Sequence, residues 1–174
     1  MDQFFEKVTS QQDVFTKLSA KIPGWGGYID RRTRRDADKM LRDTVARRFE
    51  EHWKRASQLQ SDMVSNGMIT FVDDMEKASI QLRTFIDKIS TAPRGYAGLF
   101  DAVKINEPEL QAIYQFDYAF FDLSDQIGHA LVNVEASLGD KDGLPAAIRN
   151  LISLARLAVE TYNRRTEAVT GSGR

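Results

Sequence analysis

The most constraining feature of this sequence is a helical spacing of apolar residues that runs through nearly all of it. From Met68 to Ile89, apolar or small residues recur at alternating steps of four and three, and similar steps continue from Ile113 to Leu138. No stretch of useful length alternates apolar and polar residues as a half-buried strand does. The pattern therefore predicts helices that each bury one face, and it argues against a β-sheet protein.

Breaks in the spacing predict where the helices end. Residues 30–65 contain neither Gly nor Pro, and Asn66-Gly67 then offers a left-handed cap from which the chain can return antiparallel. Asn106-Glu-Pro-Glu109 is typical of a helix start. We predict an all-α, elongated antiparallel helical bundle of four long helices, residues 31–65, 68–91, 107–138 and 144–168, with a shorter N-terminal helix over residues 2–21.

Length and composition predict one folded domain. The chain has 174 residues, 42% of them hydrophobic and 28% charged, which suits a single globular core. We assign residues 1–169 to the bundle and the small polar residues 170–174 to a flexible C-terminal tail. No window approaches the ~18 uninterrupted apolar residues of a membrane span, and no export signal is visible, so we expect a cytoplasmic protein.

The residues present exclude several kinds of chemistry. There is no cysteine, there are only two histidines, and no Glu-x-x-His or Gly-x-Gly-x-x-Gly motif occurs. We therefore predict no catalytic residue, no metal site, no cofactor and no small-molecule ligand. A pocket that gathered two or more carboxylates around His52 would instead favour an enzyme.

One stretch is strongly basic. Residues 31–55 hold ten basic and five acidic side chains, and four arginines stand at the start of a helix, where cations are disfavoured by the helix dipole. An anionic neighbour is therefore expected. It is either the acidic stretch 98–142 of the same chain or of a second copy, which we favour, or an external phosphate of nucleic acid or of a membrane surface. Within the bundle, His52 is predicted to form a structural polar pair with Asp117.

Two loops, residues 22–30 and 92–105, are rich in glycine and aromatic residues, and the glycines can let the aromatic rings fold against the ends of the bundle. Together with the arginines they form a candidate interaction surface: Trp25, Tyr28, Arg31, Arg32, Arg34, Arg35, Arg42, Tyr96 and Phe100. The acidic helix also carries Tyr114, Tyr118, Phe121 and Val132 on a second side, which indicates either a central position in the bundle or a subunit interface.

The loops carry a resemblance. Pro23-Gly-Trp-Gly-Gly-Tyr28, followed by arginines with Asp36, Asp38, Leu41 and Arg42, and then Gly95-Tyr-Ala-Gly-Leu-Phe-Asp-Ala-Val-Lys104, resemble a family of small uncharacterised all-helical prokaryotic proteins over residues 22–125. The resemblance implies the helical fold and attaches no activity.

Taken together, the sequence favours a non-enzymatic scaffold or adaptor that binds a protein partner or assembles with itself. The first alternative is anion-dependent binding of nucleic acid or of an anionic membrane surface through residues 31–48. The second alternative is an enzyme whose site has no recognisable motif.

Overall fold

The computed structural model describes residues 11–28, 34–91 and 108–171. Within these ranges the chain forms five α-helices and one 3₁₀ turn, and it contains no β-strand. The helices are α1 (Gln11–Lys21), α2 (Arg34–Ser65), α3 (Val72–Thr91), α4 (Pro108–Ala136) and α5 (Leu144–Gly171), and the 3₁₀ turn (Ile69–Phe71) precedes α3. The predicted all-α bundle is confirmed.

Four helices form a ring in the order α2, α3, α5, α4, and α1 packs on α4. Helices α2 and α3 are antiparallel, because Gln60 bonds Glu76 at one end (2.8 Å) and Arg42 reaches the Ile89 carbonyl at the other (3.3 Å). Each hairpin, α2–α3 and α4–α5, has a short connection, which brings consecutive helices side by side.

Helices α2 and α4, in contrast, are parallel neighbours. His52 of α2 contacts Ser124 of α4, and Arg55, one turn further along α2, contacts Glu135 further along α4. Because each hairpin is antiparallel, α3 and α5 are parallel neighbours as well. Helices α3 and α4 lie at opposite corners of the ring, and consecutive helices alternate in direction. We call the end where α2 begins and α5 finishes the lower end.

The core follows the predicted apolar spacing. In α3 the buried residues are Met75, Ala78, Ser79, Leu82, Phe85, Ile86 and Ile89. Phe85 lies at the centre, with its ring 4.1 Å from that of Phe49 in α2, 5.5 Å from that of Phe120 in α4 and 6.5 Å from that of Tyr162 in α5. One aromatic ring from each long helix therefore meets at this level, which fixes their mutual rotation.

Helix boundaries differ from the predicted ones by a few residues. Helix α3 begins at Val72 rather than at residue 68 because the preceding residues form the 3₁₀ turn, and α4 ends at Ala136 rather than at residue 138. Helix α5 continues through Gly171, so the first two residues of the predicted tail are helical. Residues 2–10 of the predicted N-terminal helix, residues 31–33, the second aromatic loop with Tyr96 and Phe100, and residues 172–174 lie outside the described ranges.

Helix α4 is central, which accounts for its two apolar sides. It contacts α1, α2 and α5. On its second side Tyr114 and Phe121 are buried, and Lys17 of α1 lies over the Tyr118 ring at 5.5 Å. Val132 is the exception and is exposed. The second side is thus covered mainly from within the chain.

Candidate functional site

The first aromatic loop folds into the lower end of the bundle. The Trp25 ring lies 5.5 Å from the Tyr28 ring and 5.8 Å from the Tyr114 ring, and its Nε1 donates to the Ala37 carbonyl at 3.0 Å. The Phe15 ring of α1 stacks on Trp25, with the ring centroids 5.9 Å apart. The loop therefore joins α1, α2 and α4 through one aromatic cluster.

Gly27 makes this close packing possible. Its φ is +71°, and a Cβ at this position would lie 2.5 Å from the Phe15 ring and 2.8 Å from the Tyr114 hydroxyl. That hydroxyl accepts a hydrogen bond from the backbone N–H of Tyr28 at 2.8 Å. Glycine satisfies both the left-handed conformation and the lack of space.

Beneath the loop lies a buried polar cluster formed by Tyr28, Asp38, Asp117 and Arg165. The Arg165 guanidinium donates to an Asp117 oxygen at 2.7 Å and to an Asp38 oxygen at 2.8 Å. The Tyr28 hydroxyl donates to the second Asp117 oxygen at 2.6 Å. All four residues are buried, so the cluster links the loop with α2, α4 and α5 inside the bundle.

Two more arginines extend the cluster. Arg34 is only 1% exposed, and its Nε donates to the Tyr28 carbonyl at 2.7 Å. Arg42 is half-buried, and it donates to the second Asp38 oxygen at 2.7 Å and to the Ile89 carbonyl near the end of α3. Asp38 thus receives one arginine on each carboxylate oxygen, which is the strong, charge-assisted form of hydrogen bonding.

Burial and charge oppose each other in this cluster. Burial raises the pKa of the Asp117 carboxyl, and the attraction of Arg165 and the hydrogen bond from Tyr28 offset only part of that effect. Burial and the neighbouring Asp117 raise the pKa of the Tyr28 phenol well above its usual range. Burial acts to lower the pKa of Arg165, but the two carboxylates outweigh it and raise that pKa, so the guanidinium stays charged.

The structure corrects the predicted interaction surface. Trp25, Tyr28 and Arg34 are buried, and Arg42 is held by Asp38, so these residues do not present an open face to a partner. Their aromatic and charged groups reach their partners inside the bundle instead. Arg35 is exposed. The remaining predicted members, Arg31, Arg32, Tyr96 and Phe100, lie outside the described ranges.

The predicted pairing of His52 with Asp117 is wrong. His52 Nε2 lies 2.9 Å from the Ser124 hydroxyl, whereas Asp117 binds Tyr28 and Arg165. Asp117 stands seven residues before Ser124 on α4, so it lies about two turns closer to the lower end, out of reach of His52. Burial lowers the pKa of His52, which favours the neutral imidazole.

His52 lines an open groove of about 650 Å³ between the parallel helices α2 and α4. The lining residues are Arg48, Glu51, His52, Ser124, Asp125, Gly128, His129 and Val132. Gly128 lets the imidazole approach α4, because a Cβ there would lie 3.3 Å from His52 Cε1. Asp125 accepts from Lys21 of α1 at 3.2 Å and from Arg48 of α2 at 3.4 Å.

The hydrogen bond between Ser124 and His52 bears on which imidazole nitrogen carries the hydrogen. Ser124 is buried and has no other side-chain hydrogen bond in the described part of the chain. A buried hydroxyl hydrogen without an acceptor is costly, so we assign Ser124 as the donor to Nε2 and place the imidazole hydrogen on Nδ1. No group of three or more metal-binding side chains occurs within the described ranges.

Spacing alone did not identify the buried polar cluster, although the signal was present. Asp38 lies three residues before Leu41, Asp117 lies four after Ile113, and Arg165 lies three after Tyr162. Each charged residue therefore stands in an apolar seam, the row of apolar residues along the buried face of its helix. A charge on a seam position indicates a buried charge that needs a partner. The two acidic residues and one basic residue therefore indicate buried charges, although spacing does not show that the three meet.

No family model matches the sequence, and no curated protein or solved structure is significantly similar to it. The resemblance of the two aromatic loops to a helical family therefore stays an expectation. None of the described helices combines the length and apolarity needed to span a bilayer.

Proposed function

We propose that this chain is a non-enzymatic helical scaffold that mediates protein–protein interaction or self-assembly. The observation that carries the proposal is the placement of Arg165, which is buried between Asp38 and Asp117 and beside Tyr28. A substrate cannot reach charges enclosed in this way. Their role is to hold α2, α4, α5 and the aromatic loop in one arrangement.

The basic face of α2 supports the same proposal. Arg48 reaches Asp125 and Arg55 reaches Glu135, both on α4, while Arg34 and Arg42 bond within the lower end. These arginines are among the basic side chains of residues 31–55 that phosphate groups of nucleic acid or lipid could engage. Their pairing within the chain supports the intramolecular partner over the external anion.

The proposal is tested by reconstitution with purified components. Proteins retained by the immobilised full chain from an extract of its source cells are expressed separately and mixed with it, and the mass of each complex is measured by light scattering. The same measurement on the chain alone, over a wide concentration range, detects self-assembly. We expect a complex of fixed stoichiometry with a partner or with a second copy. A chain that stays monomeric and forms no such complex contradicts the proposal.

A second candidate, general acid–base catalysis, is favoured by one observation: the groove gathers Glu51 and Asp125 around a neutral His52. Against it, every lining residue lies within α2 or α4, so the backbone N–H groups are used by the helices and leave no oxyanion site. Wild type and His52→Gln are compared on chromogenic esters, phosphates and glycosides. Turnover that His52→Gln abolishes supports an enzyme, and equal rates contradict it.

A further inference from the structure

The turn between α2 and α3 differs from the rest of the chain in charge. Residues 63–72, which we call the hairpin tip, form the longest stretch without a charged side chain in a sequence that is 28% charged. The tip contains the end of α2, the connection Asn66–Met68 and the 3₁₀ turn. It lies at the upper end of the bundle, opposite the buried polar cluster.

The hairpin tip has a defined backbone. The N–H of Met68 bonds the Met63 carbonyl at 2.8 Å and the N–H of Gly67 bonds the Val64 carbonyl at 3.1 Å, while Gly67 has a φ of +72°. This is the Schellman arrangement, in which the glycine ends the helix and apolar residues on either side of it pack together. Met63 is buried and Met68 half-buried, as that arrangement requires.

The same backbone leaves two apolar side chains in solvent. Ile69 is 70% exposed and Val64 is 54% exposed, more than any other large hydrophobic side chain in the described ranges. The other exposed ones, Met40, Ile80 and Val132, lie singly on separate helices, as is common on protein surfaces. At the tip the two stand five residues apart on a rigid turn with uncharged neighbours.

Acidic residues flank the hairpin tip. Asp62 precedes it and Asp73, Asp74 and Glu76 follow it, with Lys77 bound to Asp74 at 2.6 Å. The α4–α5 connection at the same end of the bundle contributes exposed Asp140 and Asp142 and only Lys141 as a counter-charge. Such an apolar surface flanked by carboxylates repels an anionic bilayer and the tip of a second copy, and it attracts a basic partner.

We propose that the hairpin tip docks a basic amphipathic helix of a partner protein. The apolar stripe of that helix covers Val64 and Ile69, and its Lys and Arg side chains lie against Asp62, Asp73 and Asp74. The inference rests on the proposed scaffold function and assigns it a surface. The groove between α2 and α4, with its mixed charges, is a separate feature.

The test uses the full chain and a defined probe. The probe is an amphipathic peptide of Leu and Lys, about 18 residues long so that it forms a helix on binding, and its control is the same peptide with Glu in place of Lys. Binding is followed by ¹⁵N NMR and calorimetry for wild type, for Val64→Ser with Ile69→Ser, and for Ile80→Ser. Ile80 on α3 is 52% exposed and provides the matched control.

We expect the Leu/Lys peptide to shift the resonances of residues 62–76, with affinity about tenfold weaker in the double variant and unchanged in Ile80→Ser. The Leu/Glu peptide should not bind. Equal affinity for wild type and the double variant overturns the inference, as does binding of the Leu/Glu peptide. Tip-dependent dimerisation in light scattering, or tip-dependent binding to phosphatidylglycerol vesicles, overturns it in favour of another occupant. If a reconstituted partner binds the double variant as tightly as wild type, the hairpin tip is not its docking surface, and the scaffold function is unaffected by that result.

Discussion

At the scale of single residues, the Tyr28 hydroxyl has the most demanding environment in the described chain. It donates to Asp117 at 2.6 Å and accepts from Arg165 at 3.3 Å, with no solvent access. Tyr28→Phe removes this group and leaves one oxygen of a buried carboxylate without its donor. We expect a loss of about 1–3 kcal/mol in the free energy of unfolding, measured by urea denaturation. Tyr118→Phe, at the half-buried surface of α4, is the control and should change little.

His52 predicts a pH dependence of stability. Burial lowers the pKa of this imidazole below 6.5 in the folded protein, so between that lowered value and 6.5 the unfolded chain binds more protons. The contribution of His52 to stability is therefore complete above 6.5 and is lost as the pH falls through the folded pKa. Urea unfolding at about pH 7.5 and about pH 5.5 should show a larger loss for wild type than for His52→Gln. An NMR titration midpoint of His52 at or above 6.5 contradicts the assignment.

The sequence indicates which charged residues are buried but not which residues they contact. Asp38, Asp117 and Arg165 each stand in an apolar seam, which indicates burial. However, Arg165 is 127 residues from Asp38 and 48 from Asp117. Helical periodicity gives the rotation of each side chain about its own helix and contains no information about which helix lies opposite. For the same reason His52 could be placed near α4 but not assigned to Ser124.

At the scale of elements, the aromatic loop depends on one glycine more than on another. Gly24 and Gly27 both have positive φ, but a Cβ at Gly24 meets nothing within 4 Å whereas one at Gly27 meets Phe15 and Tyr114. We expect Gly24→Ala to cost about 1 kcal/mol from backbone strain, and Gly27→Ala about 2–4 kcal/mol because overpacking adds to it. Urea denaturation of the pair checks this. Equal losses would show that the loop does not pack as described.

The buried face of helix α3 includes one serine. The hydroxyl of Ser79 is buried and has no hydrogen-bond partner in the described part of the chain. Ser79→Ala removes that hydroxyl and improves helix propensity, so we expect the protein to gain about 1 kcal/mol in stability. Ser153→Ala on the exposed face of α5 isolates the propensity effect, about 0.5 kcal/mol. A loss of stability in Ser79→Ala would contradict the burial of this face.

Helix positions were predictable because they depend on local signals. Asn66-Gly67 ends α2 as predicted, and the four-and-three spacing places the buried face of α3 correctly. The aromatic loop was predictable in part: its glycines indicated folding against the bundle end, but the same aromatic residues were also assigned to an exposed surface. Spacing cannot decide between these outcomes, because burial of Trp25 and Tyr28 depends on α1 and α4 closing over them.

At the scale of the whole molecule, one end of the bundle holds buried charges and the other end displays an uncharged apolar tip. Because α2 and α4 are parallel neighbours, Asp38 and Asp117 lie at the same end. Arg165, near the end of α5, then lies between them. At the basic start of α2, Arg34 and Arg42 bond to groups of the same chain at this end.

The central claim is that oppositely charged groups inside the lower end hold the bundle together. It is tested most directly by a double-mutant cycle of Asp117→Asn and Arg165→Met, with stability measured by urea denaturation. We expect each single variant to lose about 3–5 kcal/mol, because one buried charge is left without its partner. The coupling energy should be about 2–3 kcal/mol. A coupling energy below about 0.5 kcal/mol, the level of independent sites, would contradict the account.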